Sequence, residues 1–90
     1  MKYFDWDEEK NQKLKSERGI GFEEIINAII DGNLIIILEH PRRANQKMYV
    51  LNIDKYAYVV PFVEEREKNF LKTIYPSRTM TKKYIMEVNK

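Results

Sequence analysis

The chain has 90 residues, 43% hydrophobic and 33% charged, with a net charge of +2 and no cysteine. This length makes one domain with a core of modest size, and the missing thiols exclude disulfide staples and thiolate metal sites. The acidic, aromatic start is unlike a secretory leader, and the longest apolar run, 34–38, is far too short to cross a bilayer, so a small cytoplasmic protein is expected.

In chain order, Asp5 or Asp7 can cap a helix over 8–18, with carboxylates at its positive end and Gly19 to stop it. This helix is polar, with Leu14 as its main apolar contact and Phe4 and Trp6 just before it, so it must lean on the rest of the domain. The second helix is clearer. Phe22, Ile25, Ile26, Ile29 and Ile30 form one apolar stripe at helical spacing, Glu23 and Glu24 lie in the first turn, and Gly32-Asn33 closes it.

From Leu34 the pattern changes to strands. A continuous apolar run over 34–40 ends in His40-Pro41, and a loop over 42–46 follows. Residues 47–54 alternate, with Tyr49, Leu51 and Ile53 on one face and Met48 and Val50 on the other. Asp54-Lys55 turns the chain into a strand over 56–63, where Pro61 argues for a bulge or an unpaired position. After a charged turn, 69–75 is the fourth strand, and a last helix over 79–88 puts Met80, Tyr84, Ile85 and Val88 on one side. The expected fold is a single α+β domain over 1–90. Two N-terminal helices, a four-stranded antiparallel meander and a C-terminal helix give the order ααββββα, with the helices on one face of the sheet.

The net charge hides a polarity. Residues 68–90 hold Lys68, Lys72, Arg78, Lys82, Lys83 and Lys90 against Glu87 alone, a balance of +5, while 1–33 carry five cations against eight anions, or −3. An anionic partner at the C-terminal end is implied. The stretch 69–85 runs from an apolar strand through Pro76-Ser77-Arg78 into a short helix with Lys82 and Lys83, a layout suited to holding a phosphodiester.

Three short motifs carry a resemblance. Trp6-Asp7-Glu8-Glu9-Lys10-Asn11, Gly19-Ile20-Gly21-Phe22-Glu23-Glu24 and Arg78-Thr79-Met80-Thr81-Lys82-Lys83 occur in the order in which similar elements occur in BrnT-type toxins of bacterial type II toxin–antitoxin pairs, whose fold is similar to the RelE ribonucleases. The chain resembles that family over nearly its whole length. The resemblance implies a metal-independent endoribonuclease that cleaves RNA and inhibits translation, silenced by a small cognate antitoxin protein in a hetero-oligomer. It implies no cofactor. The chain departs from the family where Glu17-Arg18-Gly19 stands in place of a common K-H-G, so an imidazole is missing there.

Metal-free RNA cleavage needs a base for the 2′-hydroxyl, cations for the developing charge and an acid for the leaving oxygen. Arg78 is the best cation, because a guanidinium stays charged and grips two phosphate oxygens with its planar fork. Lys82 extends the patch and Lys83 reads as solvated helix charge, since neighbouring helical residues diverge by about a hundred degrees. His40 is the one group whose ordinary pKa suits proton transfer near neutrality, and Lys47 would serve as a donor if burial lowered its pKa. The catalytic candidates are therefore Arg78, Lys47 and His40, with Arg42, Arg43 and Lys82 as RNA-binding residues. Glu64, Glu65 and Glu67 offer bases but read as a solvated turn, and the acidic start reads as capping rather than a metal site. Of Tyr49, Tyr56, Tyr58 and Tyr75, one is expected to face a base. The rival expectation is a non-catalytic interaction protein on the same scaffold, or a toxin acting on a DNA topoisomerase.

Overall fold

A computed structural model describes residues 2–86 of the chain. Its elements are β1 (Tyr3–Trp6), α1 (Glu8–Arg18), α2 (Phe22–Ile30), β2 (Leu34–Glu39), β3 (Gln46–Ile53), β4 (Tyr56–Glu64), β5 (Lys68–Leu71), β6 (Tyr75–Pro76) and α3 (Arg78–Thr81), the last running into a π-helical segment, Lys82–Met86. The molecule is α+β, but the order ααββββα is overturned: a strand precedes the first helix, and five strands separate the second helix from the third.

The six strands form one mixed sheet in the order β1-β5-β4-β3-β2, with β6 paired to β4. Residues 46–53 pair antiparallel with 56–63 without interruption, and Asp54 and Lys55, both at positive φ, make the turn. The meander ends at β5. There β1 adds in parallel, with Tyr3 opposite Lys68 and Trp6 opposite Leu71. A four-residue strand next to a helix cap carries no period of its own, so only its distant partner reveals it. The expected fourth strand, 69–75, is split into β5 and β6, which pair with opposite ends of β4. Pro61 lies between those two pairings. Its carbonyl accepts the Lys72 N–H at 2.8 Å, so the amide hydrogen it lacks falls where no ladder bond is called for.

Helices cover both faces of the sheet, not one. On the first face, Leu14 of α1 and Phe22, Ile25 and Ala28 of α2 pack with Tyr49, Leu51, Val60, Phe62, Leu71 and Ile74. On the second, Met80, Tyr84 and Ile85 of the C-terminal segment cover Val50, Ala57 and Val59. The apolar outer register of β3 (Met48 and Val50) is what this second layer buries. Ile30 departs from the α2 stripe and is 74% exposed at the helix end. The expected helix contact of Val88 lies outside the described residues.

Asp7 caps α1 by accepting the Glu9 N–H at 3.0 Å, and Gly19 ends it in a left-handed conformation at φ 72°. The start of α2 has no cap from its own Gly21. Instead Asn11, fully buried on α1, accepts the Phe22 N–H at 2.7 Å.

Candidate nucleic-acid interface

The segment around Arg78 is fastened to β4 by a short hydrogen-bonded relay. Ser77 donates its N–H to the Ala57 carbonyl at 2.9 Å, and its hydroxyl accepts the Met80 N–H at 3.1 Å, capping α3. The buried Thr81 hydroxyl accepts the Ala57 N–H at 2.8 Å and donates to the Ser77 carbonyl at 2.7 Å. Both main-chain groups of Ala57 are thus consumed by the turn that carries Arg78, which holds the backbone beneath the guanidinium in one position.

On the outer side of this turn Arg78, Thr79, Lys82 and Lys83 line an open concavity of about 480 Å³. Among the described residues, no carboxylate lies within ion-pair distance of Arg78, Lys82 or Lys83. Lys83, read above as solvated helix charge, is exposed and also lines this open concavity, with its Nζ 5.3 Å from the Tyr84 ring centroid. Thr79 adds a hydroxyl that the charge pattern alone did not single out. Three cations around a hollow, with no ion-paired carboxylate among the described residues, raise the local potential and attract phosphate.

The other candidates gather at the opposite end of the sheet. His40 closes the β2–β3 connection, its N–H on the Gln46 carbonyl and its Nδ1 accepting the Arg42 N–H at 3.1 Å, a turn arrangement. Arg42 and Arg43 are exposed in that loop, Arg43 reaching Gln46 at 3.5 Å. Lys47 is engaged: its Nζ lies 3.1 Å from Glu64 Oε1, while Lys2 holds Oε2 at 3.3 Å. These two ammonium groups, Lys47 first, keep the Glu64 carboxyl below its ordinary range. Glu65 and Glu67 line a second, mixed-charge hollow of about 260 Å³ with Tyr3, Arg66 and Lys68.

Arg78 and Lys47 are therefore not partners. Arg78 follows the residue bonded to Ala57, whereas Lys47 lies opposite Phe62 and bonds Glu64. At about 3.3 Å per residue, β4 runs about 23 Å between Ala57 and Glu64. The faces differ as well, because Lys47 shares the register of Tyr49 on the α1–α2 side and α3 packs on the other. The structure brings together Arg78 and Lys82, and separately His40, Arg42 and Arg43; it does not join the two groups into one site.

Among the tyrosines, Tyr49 is buried, stacked on Phe62 at 4.0 Å between ring centroids and bonded to Asn69, which excludes it from base contact. Burial pushes its phenol pKa up. Tyr56 and Tyr75 are exposed at the Arg78 end of β4. Among the described residues, no three histidine, aspartate or glutamate side chains converge on a metal-sized space, and no helix is long and apolar enough to cross a membrane. Comparison with protein-family models, with curated proteins and with solved structures gives no significant match.

Proposed function

We propose that this chain binds RNA through its phosphate backbone, in the concavity lined by Arg78, Thr79, Lys82 and Lys83. One observation carries the reading: three cations converge on one hollow with no ion-paired carboxylate among the described residues, above a backbone pinned to β4. Phosphate contacts of this kind anchor without reading sequence. The setting suggested by the motifs, a toxin of a type II pair held silent by a small antitoxin, suits a protein whose anion-binding surface is open, since a partner that covers the hollow would block it.

Metal-independent cleavage is the stronger form of the proposal, with Arg78 stabilising the charge that develops on the phosphate. Proton transfer would then have to come from groups beside Arg78, because His40 and Lys47 stand at the far end of β4. That separation favours the second reading, an interaction protein that occupies RNA without cutting it.

The test is a fluorescent single-stranded RNA incubated with the protein in chelator, read both by anisotropy and on a denaturing gel. Binding that weakens with salt at a logarithmic slope near −2, as about three phosphate contacts require, together with intact RNA, supports the interaction reading. Scission that Arg78→Ala abolishes supports the nuclease. Absence of binding at low salt overturns both.

A further inference from the structure

We propose that the chain pairs with a second copy of itself through the open edge of β2, forming an antiparallel twofold dimer centred on Ile37. The sheet order ends at β2, so one side of this strand has no neighbour among the described residues. The His40 N–H bonds the Gln46 carbonyl, which sets the phase of the β2–β3 ladder: residues 36, 38 and 40 direct their main-chain groups toward β3. The N–H and C=O of Ile37 and Glu39 consequently point outward from the sheet.

Edge strands are normally blunted by charge, proline or extreme shortness. Residues 34–38 carry neither a charge nor a proline, and the single irregularity, between Leu34 and Ile36, sits at one end. Ile37 is 49% exposed at the middle of the strand. Its side chain shares the face of Tyr49, the side on which α2 lies and ends in the exposed Ile30. A bare apolar edge with a half-exposed isoleucine at its centre has the form of a self-complementary contact.

Charge selects the occupant and its direction. At one end of β2, Glu39 is followed by Arg42 and Arg43, a balance of +1. At the other lie Asp31 and the Asp54–Lys55 turn, a balance of −1. An antiparallel twofold sets the basic end of each copy against the acidic end of the other, twice, whereas parallel pairing opposes like charges. Pairing about Ile37 also lets each Ile37 N–H donate to its twin's carbonyl.

The experiment is sedimentation equilibrium of the full chain from about 1 to about 300 µM, with circular dichroism on each variant. The wild type is expected to rise from the 10.9 kDa chain mass toward twice that value. Ile37→Lys, which places a charge on the edge, and Ile37→Pro, which removes the outward N–H, should each weaken association at least about tenfold. Asp31→Arg should weaken it several-fold without harming the fold, since a cation suits a helix C-terminus. Arg78→Ala should leave it unchanged, so the outcome is independent of the RNA reading. A single 10.9 kDa species throughout, an open series of larger species, or a dimer indifferent to both Ile37 variants would overturn the proposal.

Discussion

Asn11 Oδ1 accepts the Phe22 N–H at 2.7 Å, so a side chain from the middle of α1 caps α2. Its amide also donates to the carboxylates of Glu23, at 3.0 and 3.1 Å, and Glu8, at 3.3 Å. One fully buried residue thereby sets the angle between the two helices, and Gly21 is the clearance it needs: a Cβ there would lie 2.9 Å from Asn11 Oδ1. Asn11→Ala should cost about 2 kcal/mol of stability, because losing the cap leaves the buried Phe22 N–H unpaired. Gly21→Ala should also destabilise, by forcing that oxygen away. Urea unfolding of both variants checks this; wild-type midpoints would contradict it.

Acid should unfold the protein through named carboxylates. Asp5 is held below its ordinary value chiefly by the Lys68 hydrogen bond, Glu8 by Gln12 and Trp6, Glu23 by Asn11, and Glu64 by Lys47. A folded-state pKa below the unfolded one contributes stability at pH values above the unfolded pKa, and that stability is lost as pH falls through the folded one. The window therefore opens below about 4.5, the ordinary glutamate value. Lys68 works in the other sense. Asp5 raises its pKa above 10.5, so its contribution is present below that value and fades as pH climbs through the raised one. Asn11→Leu should flatten the acid limb of a stability–pH curve relative to wild type.

The β3–β4 turn stores strain that a glycine would release. Asp54 and Lys55 adopt φ of 54° and 67°, with the Lys55 N–H bonded to Asn52 Oδ1 at 2.9 Å. Two-residue hairpin turns of this hand favour glycine at the second position. Lys55→Gly should therefore stabilise by about 1 kcal/mol, seen as a raised denaturation midpoint at unchanged m-value.

Thr81 is a positioning residue for the proposed RNA surface. Thr81→Val would leave the Ala57 N–H buried without its acceptor, costing about 2 kcal/mol. RNA affinity should fall with it, and Thr81→Ser, which keeps the hydroxyl, should restore most of both.

At the surface itself, Arg78→Ala should weaken RNA binding about tenfold and reduce the salt slope by about one contact, with little change in stability. His40→Ala should leave affinity within about twofold, because that imidazole serves a turn at the other end of β4. Equal losses from the two variants would mean that RNA spans the sheet.

Much of the local structure is written in short-range pattern. The stripe of Phe22 and Ile25, the cap Asp7, the stop Gly19 and the Asp54-Lys55 turn each satisfy a rule that acts within one or two helical turns or one hairpin. The first strand is different. Tyr3–Trp6 is a strand because Lys68–Leu71 offers it a parallel edge, and no periodicity within four residues can announce a partner more than sixty positions away. Asn11 likewise reads as a polar helix residue until α2 is laid across it.

For the candidate site, the cation content of residues 78–83 and the Ser77 hydroxyl that starts their helix are legible along the chain. Tertiary structure decided which of those cations share a hollow, sent the C-terminal segment to the face opposite α1 and α2, and put Lys47 in an ion pair at the far end of β4. The reason is that charge and capping are properties of neighbours along the chain. Proximity across a sheet depends instead on strand order and on which face each side chain takes, and both are settled only when every strand has found its partner.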